Sequence, residues 1–240
     1  RTHDIATLGL WGPKAVNALS NFIDTNEIDI QNFPFVTAKN LTLNLSSGKK
    51  VDVWAARISY VGESGWEIYF NNNKDDGLAL YDSLLEVGVV PVGIETYANS
   101  RRLEKSFRLQ GADLETEYTA IEAAIQRPLV KEADFHGKAA HLSHREEDPC
   151  AILCTMTLDD LNVSGVPRYP VGISPIIDPA TGEVPIDSKG RRSYTTGMSY
   201  CPSIKKFVVM GYLPKELAIQ GKQLLIEYFN ENGDGVYPIT

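Results

Sequence analysis

The chain has 240 residues, 43% of them hydrophobic and 22% charged, with a formal net charge of −8 at pH 7. That is enough apolar material for one large or two modest globular domains, and the acidic balance argues against a nucleic-acid binder, whose footprint is a basic face. No apolar run approaches the roughly 18–20 residues that span a bilayer, and no charged segment leads into an apolar one as in a secretory signal. The first residue is Arg1 rather than methionine, which leaves room for a targeting segment upstream.

In chain order, Ile5 to Leu10 reads as a strand closed by Trp11-Gly12. Pro13 suits the first turn of a helix through Phe22, with Ala15, Val16, Leu19 and Phe22 or Ile23 as its apolar stripe. Leu41, Leu43 and Leu45 alternate up to the Ser46–Lys50 turn, and Val51, Val53 and Ala55 resume the alternation. Asp75 and Asp76 are expected to cap a helix carrying Leu78, Tyr81, Leu84 and Leu85, stopped by Gly88. A second helix is expected over Glu95–Lys105, with Tyr97, Arg101 and Glu104 in local pairing and Arg102 and Glu104 as a structural pair, and a shorter one over Thr119–Ile125 before Pro128. After the charged stretch Ser143–Pro149 the texture changes. Ala151–Leu158 is strand-like, and short β-prone pieces dominate thereafter, with hairpin connections at Asp178–Gly182 and Asn232–Gly235. An α+β part followed by a small antiparallel β-barrel or sandwich is therefore expected, divided at 145/146.

The segment Arg57–Phe70 carries the densest chemistry. Ile58 and Tyr60 share one face of an entering strand, Gly62 and Gly65 make a tight turn, and Trp66, Ile68 and Phe70 share a face of the leaving strand. Glu67 and Tyr69 then point to the other side, with Tyr60 just across the turn. A carboxylate beside aromatic rings can accept hydrogen bonds from a flat, nitrogen-rich heterocycle while the rings hold its faces. The ordinary alternative is a hairpin whose Glu67 faces water.

Cys150 and Cys154 fall on one face of a strand, too far apart to bond, and Cys201 is expected in a loop, a sparse odd set that fits a reducing compartment. His141 and His144 are spaced like a metal pair, but no cysteine or acid completes a site, so no metal is expected. Lys189, Arg191, Arg192, Lys205 and Lys206 concentrate positive charge, either as a rim for an anionic ligand tail or as a solvated hairpin tip.

Several segments, in order, resemble the blocks of the aminomethyltransferase (glycine cleavage T-protein) family, which includes the tetrahydrofolate-binding parts of dimethylglycine and sarcosine dehydrogenases. They are Leu8-Gly-Leu-Trp-Gly-Pro-Lys-Ala15, the Tyr60–Ile68 turn, Ser100-Arg-Arg-Leu-Glu104, Gly111-Ala-Asp-Leu114, Asp134-Phe-His-Gly-Lys138, Thr196-Gly-Met-Ser-Tyr-Cys-Pro-Ser-Ile-Lys-Lys206 and Met210-Gly-Tyr-Leu-Pro214. The resemblance implies a folate-binding α+β body over residues 1–145, its N-terminal part missing, then a C-terminal antiparallel β-barrel over 146–240, the chain being a fragment. It aligns Glu67 with the acid that hydrogen-bonds the pterin and Tyr60 with an aromatic that packs on it or in the core. The family's glycine-cleavage members have an arginine just before the Ser100 block. Here Tyr97-Ala98-Asn99 stands there without an arginine; the amine-dehydrogenase relatives tend to lack it too and to have Ser-Tyr-Val-Gly-Glu at the hairpin, as Ser59–Glu63 does here, and Tyr97 is expected to fill the vacated space. The aspartate that assists carbon transfer is expected upstream of Arg1.

The implied activity is tetrahydrofolate-dependent one-carbon (aminomethyl or methylene) transfer, as the folate domain of a dimethylglycine- or sarcosine-dehydrogenase-like protein. Tetrahydrofolate is the implied cofactor, with FAD on an upstream domain. The implied partners are a methylamine-type donor and either a fused flavin domain or a lipoyl carrier protein, with no nucleic acid and no membrane. The implied setting is cytoplasmic, or the mitochondrial matrix in a eukaryote. The alternatives are a stand-alone T-protein, an O- or S-demethylase, and a non-catalytic folate sensor.

Overall fold

The computed structural model describes residues 3–125, 129–158, 173–230 and 233–240. The expected turn at Asn232 and the expected helix stop at Pro128 fall outside the described residues. The chain divides into two compact units, Arg1–Tyr97 and Ala98–Thr240. No described helix is long and apolar enough to cross a membrane.

In the first unit, β1 (Ile5–Trp11), β2 (Ala38–Asn44), β3 (Lys50–Ala56) and β4 (Gly65–Asn71) form an antiparallel sheet in the order β1-β4-β3-β2. The period-2 alternation of the sequence sends Leu10, Leu41, Leu43, Val51, Trp66 and Ile68 to one buried face. There they pack with Leu19, Phe22, Ile28 and Phe33. Helix α1 (Ala15–Leu19) stops short of the expected Phe22. The side chains of Ser20 and Asn21 turn back to donate to the Asn17 carbonyl, each at 2.9 Å, and so compete with continued helix. Asp24 then caps an unexpected short helix, α2 (Thr25–Ile28), by accepting from the Asn26 amide at 2.9 Å.

Helix α3 (Lys74–Glu86) is capped by Asn73, which accepts from the Asp76 amide at 2.7 Å. Asp75 and Asp76 lie instead in the first turn, where negative charge suits the helix dipole. Arg57 leaves β3 and buries its guanidinium, donating to the Ile28 and Phe33 carbonyls at 3.0 and 2.9 Å and lying 5.0 Å from the Trp66 ring. Burial lowers its pKa, against the opposing charge of Asp29.

The expected helix over Glu95–Lys105 is present as a π-helical stretch, Thr96–Arg101, followed by the short α4 (Arg102–Glu104). Over Thr119–Ile125, Thr119 and Glu122 form a reciprocal cap: the Thr119 amide donates to Glu122 Oε2 at 2.9 Å, and the Glu122 amide to Thr119 Oγ1 at 3.2 Å. Only turns follow, because Ala124 adopts φ 53°, outside the helical region. An unexpected helix, α5 (Lys138–Glu146), begins after Gly137, whose φ of 82° a residue with a Cβ rarely adopts.

The rest of the second unit is antiparallel: β5 (Ala151–Thr157), β6 (Ile176–Ile177), β7 (Thr195–Cys201), β8 (Lys206–Pro214), β9 (Leu224–Asn230) and β10 (Gly233–Ile239). They form two three-stranded sheets, β5-β8-β7 and β10-β9-β6, with isolated bridges at Leu158–Ile239 and Pro175–Tyr194. The expected 145/146 division falls inside this unit, shortly before β5. Helices with antiparallel sheets make the chain α+β, as expected from the sequence.

Four of the sequence blocks meet in one buried network in this unit. Arg102 is 1% exposed and Asp113 0%. Arg102 pairs with Asp113 and also donates to the carbonyls of Ala98 and Phe107, at 2.8 and 3.1 Å. Asp113 accepts further from Thr196 and from the Leu109 amide at 2.8 Å, while the Tyr212 hydroxyl donates to its carbonyl at 2.7 Å. Glu104 pairs with Arg101 at 3.0 Å and not with Arg102, because residues two apart on a helix do not face each other.

Arg191 departs from the solvated-tip reading. Its Nε donates to Asp187 at 2.7 Å, its Nη2 donates to Glu122, and its guanidinium lies 4.3 Å from the Tyr118 ring. Cys201 ends β7 and is buried rather than in a loop, and all three cysteines are free.

Candidate functional site

Glu67 stands at the third position of β4, on the sheet face opposite the core, between Gly9 of β1 and Ala56 of β3. With these two small neighbours, Glu67 is half-buried. Gly9 serves a second purpose. The Trp11 ring folds back over it, so that a Cβ built on Gly9 would lie 2.0 Å from the ring. The indole is held there by donating from Nε1 to the Ile58 carbonyl at 2.9 Å. Its other side stacks on Tyr97, with centroids 5.0 Å apart and planes at 29°. Tyr60 continues the group at 5.4 Å from Tyr97. Next along β4, the Tyr69 hydroxyl donates to Glu67 Oε2, and its ring lies 5.1 Å from that of Trp54, its partner across on β3.

The expected residues Glu67, Tyr60 and Tyr97 therefore lie in one neighbourhood of the first unit. Tyr60 reaches it from a loop, not from a strand. β3 ends at Ala56, and Ser59 Oγ accepts from the amides of Val61 and Glu63 at 3.3 and 3.2 Å, curling the connection. Gly62 has φ 72°, and a Cβ on Gly65 would meet the Leu10 carbonyl at 1.9 Å, so the turn needs both glycines. Trp66 points into the core and is 0% exposed.

Sequence reasoning passed over Trp11 and Trp54, and set Tyr69 beside Glu67 without expecting their hydrogen bond. The available signals were the Gly9-x-Trp11 spacing on one strand face and the Glu67/Tyr69 pair two residues apart on another.

The electrostatics follow the geometry. The Tyr69 phenol is pushed up to about 12, first because it donates to Glu67, then by burial and by the same carboxylate's charge. Tyr97 is raised by burial, with Glu67 and Tyr60 adding to it. Both phenols stay protonated near neutral pH and remain hydrogen-bond donors. Burial pushes the Cys154 and Cys201 thiols up to about 11 and about 12, which removes them as nucleophiles at neutral pH. Among the described residues no cluster of three His, Cys, Asp or Glu side chains could hold a metal. Beyond Trp54 and Tyr69 the same sheet face opens into a groove of about 1130 Å³, floored by polar residues such as Thr42 and Asp52.

The chain belongs to the aminomethyltransferase (glycine cleavage T-protein) family: the model for the GCVT N-terminal domain matches residues 1–132. Among curated proteins, it is 30% identical over 246 residues to dimethylglycine dehydrogenase, mitochondrial, of Homo sapiens, covering 96% of this chain and 25% of that protein. It is 31% identical to the enzyme of the same name from Rattus norvegicus, covering 100% of this chain and 25% of the relative. It is 28% identical to the aminomethyltransferase of Francisella philomiragia, covering 97% of this chain and 61% of that protein. The chain thus spans a quarter of the length of the dehydrogenases. In fold it is similar to the crystal structure of glycine cleavage system aminomethyltransferase T from Bartonella henselae, with a TM-score of 0.71 and 22% identity over 98% of this chain and 57% of that one.

Proposed function

We propose that this chain is the tetrahydrofolate-binding part of a one-carbon transferase of the dimethylglycine- or sarcosine-dehydrogenase type, with Glu67 as the residue that receives the pterin. One observation carries the reading: Glu67 is set between Gly9 and Ala56, with Trp11, Tyr60 and Tyr97 grouped near it and the Tyr69–Trp54 pair along the same face. The donor set fits the ligand. A pterin offers adjacent N–H donors on a flat ring, and a carboxylate flanked by aromatic faces accepts those donors while the rings cover the heterocycle.

Bound tetrahydrofolate supplies the nitrogen nucleophile for the one-carbon unit. The chain's own residues bind and orient. Glu67 fixes the pterin edge, the aromatic group restricts its plane, and together they keep water from the reacting region, where a free iminium would hydrolyse. The dehydrogenase reading, with a methylamine-type donor and FAD on a fused flavin domain, is supported by the match over essentially the whole chain and by Tyr97-Ala98-Asn99 holding no arginine, which the resemblance places there in glycine-cleavage members. The second reading, a stand-alone aminomethyltransferase working with a lipoyl carrier protein, is favoured by the 97% coverage against the bacterial aminomethyltransferase. We take the two three-stranded sheets of the second unit, bridged at both flanks, as the small closed barrel expected over 146–240.

Calorimetric titration of tetrahydrofolate into the protein and into Glu67→Gln tests the site. Glu67→Gln is expected to weaken binding by about tenfold, since a charge-assisted acceptor becomes a neutral one. Equal affinities in two folded proteins would remove Glu67 from the site.

A further inference from the structure

Tyr69 lies one pleat along β4 from Glu67, on the same face, and its hydroxyl donates to Glu67 Oε2. Its ring packs independently of that bond: Trp54 is its direct partner on β3, with ring centroids 5.1 Å apart. The hydroxyl is therefore delivered to the carboxylate from a braced position rather than by a free rotor. Of the residues directly opposite Glu67, Ala56 carries only a methyl, and the space over Gly9 is taken by the Trp11 ring, whose Nε1 is committed to the Ile58 carbonyl. The ordinary reading of such a contact is mutual satisfaction of two polar groups on a wet sheet face. It does not explain why the tyrosine ring is packed beside an indole on the neighbouring strand.

We propose that Tyr69 is a positioning residue that takes one oxygen of Glu67 and presents the other, Oε1, to the ligand in a fixed orientation. The inference rests on Glu67 being the pterin acceptor. A carboxylate with both oxygens free turns about its terminal bond and must be ordered when ligand arrives, at a cost in affinity. With Oε2 engaged, that ordering is largely complete in the free protein, and Oε1 is left for the ligand. The raised Tyr69 phenol agrees: the proton stays on tyrosine, and the bond persists across the physiological range. Tyr69 does not itself meet the pterin in this scheme; it acts through Glu67.

The test is a double-mutant cycle read by tetrahydrofolate titration. Tyr69→Phe keeps the ring against Trp54 and removes only the hydroxyl. In the unsubstituted protein it should weaken tetrahydrofolate binding about five- to tenfold, the loss of one charge-assisted hydrogen bond in orientation. In a Glu67→Gln background the same change should cost less than about twofold, because the charged group it positions is gone. A purely packing role for Tyr69 predicts the same loss in both backgrounds.

A second readout is independent of ligand. The Tyr69 phenol, followed by tyrosine-selective NMR or by ultraviolet titration against Tyr69→Phe, should titrate near 12 in the unsubstituted protein and fall toward 10 in Glu67→Gln. Equal losses in the two backgrounds, no loss at all, or a phenol that ignores Glu67→Gln would overturn the inference while leaving the folate site standing. Absence of saturable binding by the unsubstituted protein would overturn the folate reading and this inference with it.

Discussion

The carboxylate of Glu67 is accessible because of what its neighbours lack. Ala56 on one side adds only a methyl, and Gly9 on the other makes room for the Trp11 ring. This makes the Trp11 wall testable through Gly9, without substituting any residue proposed to meet the ligand. Gly9→Ala places a methyl about where the indole now lies, so Trp11 must leave its contact with Tyr97 and its bond to the Ile58 carbonyl. Overpacking of this kind costs about 1–3 kcal/mol of stability. The expected outcome is a folded protein with altered tryptophan emission and a tetrahydrofolate affinity reduced by about tenfold, the sum of a lost wall and a lost orientation. Unaltered emission with unaltered affinity would mean that the ring does not define the site.

At the scale of elements, the second unit is organised by two buried ionic clusters rather than by propensity. Arg102 on α4 is matched to Asp113 in the following turn segment, to Thr196 through that aspartate, and to the Met210 sulfur at 3.6 Å. Removing one member strands the other. Arg102→Met should destabilise the protein by about 3–5 kcal/mol, measured by urea unfolding, because Asp113 is left charged and buried. The second cluster sets an acid limit. Burial alone would raise Glu122, but its bonds from Arg191 and the Thr119 amide hold it down to about 2, below the ordinary 4.5. A carboxylate with a depressed folded pKa stabilises fully above its unfolded value. That stabilisation should therefore be intact above about pH 4.5 and lost as the pH falls toward 2. Glu122→Gln should flatten the stability profile across that window. A profile in Glu122→Gln as steep as in the unsubstituted protein would assign the acid sensitivity to other groups.

For the whole molecule, ligand binding is linked to folding. A ligand that binds only the folded chain stabilises it by about 2.7 kcal/mol at a hundredfold excess over its Kd. For a protein of this size that is about 5–10 °C in thermal midpoint. Tetrahydrofolate is expected to give such a shift, reduced in Glu67→Gln at the same concentration. A midpoint that does not move would count against the folate reading however the single-residue tests fall. The net charge of −8 adds a simple expectation: no retention on immobilised nucleic acid at physiological salt.

Much of this was legible in the sequence, and the residues explain which part. Strand alternation placed Trp66, Ile68 and Phe70 inward and Glu67 with Tyr69 outward, because side-chain direction in a strand depends only on local parity. The ordered blocks from Leu8 to Pro214 carried the family. The ends of helices were less legible. Asn73 took the cap expected of Asp75 or Asp76, and α1 ended early, since competing side-chain bonds of similar energy decide such positions. Long-range pairing was not legible at all. Which acid Arg102 would meet, that Arg191 would be buried, that Trp11 would fold over Gly9, and that Trp54 would brace Tyr69 all depend on which segments become neighbours across the sheets. A linear sequence determines its own periodicity and family; the partner of each buried charge and ring is decided only when the chain closes, because desolvation makes those pairings obligatory.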